Sequence, residues 1–256
     1  RGIARGQIDD FIGAIEDYSR AIALQPAFVS AYANRGYARA ALGEFEAAIH
    51  DYDAAIQLDP GRGVIWIDRA VARAARGDEA AAESDFAQAL SLASNDSIAY
   101  ENRAGARYDR GDFASSLADV KNCLDLPFNT DRDYAALLGI VCRIRLGEPQ
   151  PVTPELDAPF KNRSGKAKGD WPASLAAFLR GDITEEELLK LRDTADPCTT
   201  KKQTCEASFY VGVVHLAAGD LSEAKTRFDT CVAQQLPSFW EHMHALAELK
   251  RMNRGK

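Results

Sequence analysis

The sequence is poor in the residues that do chemistry. Its 256 residues include four histidines, two methionines and five cysteines. His50 and His215 stand alone, with no serine or cysteine motif nearby to supply a nucleophile. His242 and His244 flank Met243 and fall on nearly opposite faces of a helix, so they cannot share one metal, and the H-E-x-x-H spacing is absent. Cys123, Cys142, Cys198, Cys205 and Cys231 contain no C-x-x-C pair and no zinc-type spacing. The run Lys161-Asn-Arg-Ser-Gly-Lys-Ala-Lys168 is not a phosphate loop: no glycine lies five residues before Gly165, and Ala167 follows Lys166. It reads as a solvated basic loop. No apolar run approaches the ~20 residues of a membrane span. A net charge of −7 argues against a nucleic-acid partner, because phosphate neutralisation needs a basic surface. These absences together lead us to expect no enzymatic activity, no cofactor and no bound metal.

What the chain has is repetition. Apolar residues make up 46% and charged residues 27%, enough for a soluble core. Stretch 29–60 reads as two helices broken at Gly43, and a frame shift of 34 residues returns the same skeleton. Trp66, Ala70, Gly77, Ala82, Phe86 and Ala89 fall on Tyr32, Gly36, Gly43, Ala48, Tyr52 and Ala55. Tyr100, Ala104, Gly111, Ser116, Val120 and Cys123 follow in the next frame, and Gly2, Ala14, Tyr18, Ala21 and Pro26 in the preceding one. Small residues let antiparallel helices approach, aromatics fill the gap to the next pair, and proline ends the second helix. These positions resemble the tetratricopeptide repeat (TPR). The resemblance implies an all-α, right-handed superhelical solenoid of antiparallel helix pairs. Arg1-Gly2 aligns with Arg35-Gly36, already inside a first helix, so the first unit is expected to be incomplete. The lack of a targeting segment here therefore does not indicate a cytosolic home.

Two arginine ladders share the repeat. Arg1, Arg35, Arg69 and Arg103 lie 16 residues before Asp17, Asp51, Asp85 and Asp119. A hairpin folding near Gly43 would bring Arg35 to Asp51, Arg69 to Asp85 and Arg103 to Asp119, as ion pairs that set register more than they add stability. The second ladder, Arg5, Arg39, Arg73 and Arg107, has no partner evident from spacing.

Regularity fades after Pro127. Residues 131–146 read as an amphipathic helix, and prolines interrupt 149–159. Asp170-Trp171-Pro172 opens a helix up to Gly181, and Thr184 with Glu187 forms a capping box. Residues 193–202 read as a loop. Cys198 and Cys205 flank it, where a bridge would close a short ring and imply an oxidising compartment; Cys205 with Cys231 is the other pairing. The repeat skeleton returns from Glu206, and a helix over 238–252 would cap the stack. We therefore divide the chain into residues 1–128 (four repeats, the first incomplete), 129–193 (divergent) and 194–256 (a last hairpin and its cap).

The second half is the more distinctive. Trp171-Pro-Ala-Ser-Leu-Ala-Ala-Phe-Leu-Arg-Gly-Asp-Ile-Thr, then Phe209-Tyr-Val-Gly, Ala218-Gly-Asp-Leu-Ser-Glu-Ala, Phe239-Trp-Glu-His and Ala247-Glu-Leu, are similar in order and spacing to the NlpI family of bacterial TPR lipoproteins. That likeness implies a periplasmic scaffold, anchored to the outer membrane by a lipidated cysteine upstream of this sequence and usually dimeric. It also implies partners, namely peptidoglycan hydrolases and a C-terminal-processing protease. A cytosolic TPR assembly protein is the alternative.

In such hairpins the first helix lines the concave face. The residues expected to hold an extended peptide there are Ala33, Asn34, Tyr37, Ile67, Asp68, Val71, Glu101, Asn102 and Tyr108. Asn34 and Asn102 could instead satisfy nearby backbone groups. Val64 and Asp68 stand where a carboxylate-gripping TPR needs basic residues, which disfavours a heat-shock co-chaperone role.

Overall fold

A computed structural model describes residues 10–93, 95–126, 132–166, 169–193, 195–236 and 239–254. These residues form fourteen α-helices, one 3-10 turn and no strand. Packing divides the chain into two compact units, residues 1–106 and 107–256.

The first unit contains α1 (Phe11–Leu24), α2 (Val29–Ala41), α3 (Phe45–Leu58), α4 (Gly63–Arg76), α5 (Glu79–Leu92) and most of α6 (Ser97–Arg110). Helices α2 and α3 form one antiparallel pair and α4 and α5 the next, as the 34-residue period predicts. Gly43 and Gly77 sit at φ of 79° and 91°, the left-handed conformation that ends an inner helix and that a side chain would oppose. Between paired helices, small residues face aromatics. A Cβ added to Gly36 would lie 2.7 Å from Tyr52 Cε1, so the glycine is required by close approach. Ala48, Tyr52, Ala55 and Ile65 form one core cluster, and Ile67, Ala70, Phe86 and Ala99 the next.

The ion-pair expectation holds in this unit, with a second arginine at each rung. Asp51, fully buried, accepts from Arg35 Nε at 2.9 Å and Nη2 at 2.6 Å, and from Arg39 Nη1 at 2.8 Å. Asp85 repeats this with Arg69 Nε at 2.8 Å, Nη2 at 2.6 Å and Arg73 Nη1 at 2.7 Å. The second ladder thus converges on the same carboxylates from one turn further along. Arg35 and Arg69 also reach back to the preceding repeat, Arg35 to Ser19 Oγ at 3.0 Å and Arg69 to Asp53 Oδ1 at 2.5 Å. The guanidiniums of Arg35 and Arg69 lie over the rings of Tyr32 and Trp66, at 5.7 and 4.8 Å from their centroids. Arg103 belongs to the first unit and Asp119 to the second, and Arg1 and Arg5 lie outside the described residues.

The second unit begins at residue 107, inside α6. It contains α7 (Phe113–Asp125), α8 (Arg132–Arg145), α9 (Pro154–Asp157), a 3-10 turn (Ala158–Phe160), α10 (Trp171–Arg180), α11 (Glu185–Leu191), α12 (Pro197–Ala217), α13 (Leu221–Val232) and α14 (Trp240–Arg254). Arg107 Nη1 donates to Asp119 at 2.8 Å, continuing the second ladder. Helices α12 and α13 form the expected last hairpin, and α14 packs on both. The division by repeat regularity and the division by packing do not coincide: α8, in the divergent stretch, packs against both α7 and α12.

Three local expectations change. The loop placed at 193–202 is mostly helix: α12 starts at Pro197, capped by Asp196, which accepts from Thr199 N at 2.8 Å. Thr200 and Thr204 send their hydroxyls back to backbone oxygens four residues earlier, so these side chains find their hydrogen bonds within the helix. The basic run after Phe160 is tied down at its centre, since Arg163 bonds Asp133 at 2.8 Å and also pairs with Asp170. The bridge offered for Cys198 and Cys205 is excluded by the same helix. Seven residues along one helix separate them by about 10 Å, beyond disulfide reach. Cys205 Sγ faces Cys231 Sγ instead. The capping box at Thr184 and Glu187 is present as read, with bonds of 3.2 and 2.7 Å.

Candidate partner-binding site

The inner helices of the first unit, α2, α4 and the start of α6, carry the residues that vary while the packing positions repeat. Tyr37 on α2 is 56% exposed, with its ring edge-on to Phe11 at 6.3 Å. Asn34, one turn earlier, is half-buried, and so are Asp68 and Val71 on α4 and Glu101 and Asn102 on α6. Ala33 is half-buried against the first core cluster.

Asp68 stands apart. It is half-buried on the inner helix, yet no described residue donates a hydrogen bond or supplies a cation to its carboxylate. Burial pushes its carboxyl up to about 6. Burial raises the Tyr52 phenol as well, and Asp68, Tyr37 and Asp51 raise it further. An acidic group in this position without a protein partner differs in kind from Asp51 and Asp85, which are saturated by arginine. The amides divide: Asn102 spends its side-chain N–H on Ile98 O at 2.8 Å, the backbone-satisfying role, whereas Asn34 has no hydrogen-bond partner among the described residues.

Two expected groove residues are core. Ile67 is 2% exposed and packs with Ala70 and Phe86. Tyr108 is fully buried in the second unit, where its hydroxyl donates to Glu248 Oε1 at 2.6 Å. Arg145 and Arg251 complete that carboxylate, at 3.1 and 2.9 Å. By count along the chain Tyr108 falls on Ala40 and Ala74, but its larger ring packs against α14, with the His244 ring 4.7 Å away.

The second unit also holds two buried carboxylates that spacing did not single out. Glu206 on α12 accepts from Tyr134 OH at 2.9 Å and Trp171 Nε1 at 2.5 Å, and Glu241 on α14 accepts from Tyr210 OH at 3.2 Å. Burial, then the neighbouring Glu241, pushes Glu206 up to about 8, and burial raises Glu241 too. The signal for Glu206 was an acid set among Cys205, Phe209 and Tyr210 on an apolar face. His244 Nδ1 lies 2.6 Å from Asp109 Oδ1, and burial lowers His242. A cleft of about 760 Å³ lies along the proline-rich segment between Val152, Lys161 and Arg180. Arg180 in its wall is already held by Asp157 and Asp182, at 2.6 and 2.7 Å.

A family model described as tetratricopeptide repeat matches residues 29–62, and a second, described as TPR repeat, matches residues 4–43. Among solved structures, the chain is similar to a tetratricopeptide repeat protein from Parabacteroides merdae, with 15% identity, 95% of each chain covered and a TM-score of 0.57. It is also similar to the C-terminal part of a TPR repeat-containing protein from Cytophaga hutchinsonii, with 13% identity, 91% of this chain and 93% of that one covered, and a TM-score of 0.54. A chain of the APC/C hetero-tetramer Cut9–Hcn1 matches at 16% identity over 95% of this chain and 41% of its own, with a TM-score of 0.56. At such identities the likeness concerns the fold, an all-α arrangement of tetratricopeptide-type helix pairs, and the matched repeats themselves lie within residues 4–62.

Proposed function

We propose that the chain is a non-catalytic adaptor that holds an extended segment of a partner protein on the inner helices of its first unit. The observation that carries this reading is the Asp68 carboxylate, half-buried and unpartnered among the described residues, one repeat from the exposed Tyr37 ring. Such a pair suits a partner that brings a hydrogen-bond donor or a cation together with apolar contact. Asn34 adds an amide able to pair with an extended backbone.

The partners we infer are cell-envelope enzymes: peptidoglycan hydrolases, a C-terminal-processing protease, or both, met in the bacterial periplasm. What supports this is the NlpI-like order of motifs between residues 171 and 249. A homodimer and a lipid anchor belong to the same reading. The test is site-specific photocrosslinking from position 37 in the native host. Adducts with a cell-wall hydrolase or processing protease, weakened by Asn34→Ala or Asp68→Ala, are expected. Adducts confined to cytosolic proteins would transfer the reading to a cytosolic assembly scaffold, and adducts indifferent to both substitutions would move the groove elsewhere.

A further inference from the structure

We propose that Cys205 and Cys231 form an intrachain disulfide that staples α12 to α13 within the second unit. The two sulfurs face each other 2.6 Å apart, well inside van der Waals contact, on helices that form one antiparallel hairpin. Both side chains are fully buried. Each therefore has the other as its nearest reactive group, with solvent and foreign thiols excluded. The remaining cysteines are placed differently. Cys142 donates its S–H to Ser116 Oγ at 3.2 Å, an ordinary buried thiol, and Cys198 is exposed at the start of α12.

The surroundings disfavour a thiolate at this site. The contact with Cys205 and burial raise the Cys231 thiol, and the carboxylates of Glu241 and Glu206 raise it further. A disulfide carries no charge and needs no hydrogen-bond partner, so it suits a site between two buried acids. Because the folded hairpin shields both sulfurs, the bond must form while α12 and α13 are still docking. The oxidant required is a disulfide, of a small thiol or of a dithiol protein. One cysteine thiolate attacks it, forming a mixed disulfide and releasing the first thiol. The second cysteine thiolate attacks the protein sulfur of that intermediate, closing the Cys205–Cys231 bond and releasing the second thiol. Two electrons pass from the cysteines to the oxidant, and the two cysteine protons end on the released thiols. Nothing in this depends on the envelope reading, since the oxidant can be supplied in a test tube.

The experiment refolds the full chain from denaturant with glutathione disulfide, then digests it with trypsin without reduction. The expected product joins peptide 203–225 to peptide 228–250, lighter by two hydrogens than their sum and separated by reductant. Thiol titration of the denatured product should count three of the five cysteines. Cys198→Ser should leave the linked species intact. Recovery of both peptides with alkylated cysteines, or of 203–225 joined to 193–201, would overturn the proposal. The wild-type measurement decides the matter even if Cys231→Ser fails to fold.

Discussion

Replacing Asp51 by alanine tests whether the arginine ladders are architecture. The carboxylate is fully buried and takes three charge-assisted hydrogen bonds from Arg35 and Arg39. Deleting it removes all three and leaves two guanidiniums, one turn apart on α2, without their shared counter-ion. Breaking a buried pair by removing one partner costs about 3–5 kcal/mol. Here the arginine side chains keep 16% and 22% of their surface exposed, so water recovers part of the loss and the low end, about 3 kcal/mol, applies. With a urea dependence of about 2 kcal/mol per molar, the midpoint should fall by roughly 1.5 M.

The comparison is Asp53→Ala. Asp53 is 43% exposed and pairs with the same kind of arginine, Arg69, at 2.5 Å, so it should cost under about 1 kcal/mol. The assay is urea unfolding followed by helical circular dichroism, with both variants in one buffer. An Asp51→Ala loss no larger than the Asp53→Ala loss would refute the argument. A second arm replaces Arg35, Arg39 and Asp51 together by methionine, methionine and leucine. If the rung mainly selects register, this apolar version should stay within about 1 kcal/mol of wild type.

Glu206→Gln should flatten the pH dependence of the second unit's thermal unfolding. The folded glutamate is raised above its ordinary value, so its contribution is fully present below that value and is lost as pH rises through about 8. Wild type should therefore lose stability over that window; equal slopes in both proteins would show that another group titrates. Gly212→Ala places a Cβ 2.7 Å from Cε1 of the fully buried Phe228. Ala70 already opposes Phe86 at the equivalent position, so the overpacking, less the helix-propensity gain, should cost about 1 kcal/mol by urea titration. Asp68→Asn should raise the stability of the free protein by about 1 kcal/mol at neutral pH, because it removes a partly desolvated, unpartnered charge. Under the adaptor reading, the same variant should weaken photocrosslinking from position 37.

What a single chain reveals about its own structure depends on how often it repeats the statement. Gly36, Ala70 and Ala104, or Asp51 and Asp85, recur at 34 residues because each hairpin poses the same packing problem, and their roles were legible from spacing alone. The second arginine ladder was equally periodic, and its offset of 12 residues to the same aspartates was available to be noticed. Tyr108 misled for the opposite reason. It occupies an inner-helix position but meets Glu248, 140 residues later in the chain, and no periodicity announces a contact made once. The same holds for Glu206 with Trp171 and for Cys205 with Cys231. Each is a contact made once, within the second unit. Ile67 instead packs with Ala70 and Phe86 of its own hairpin, while the equivalent Ala33 and Glu101 stay half-buried. Asp68 belongs between these classes. Its position is periodic, shared with Asn34 and Asn102, while its charge is not, and no described residue answers that charge. A periodic site with an aperiodic, unanswered charge is where a repeat protein can differ from its neighbours in what it binds without disturbing what holds it together.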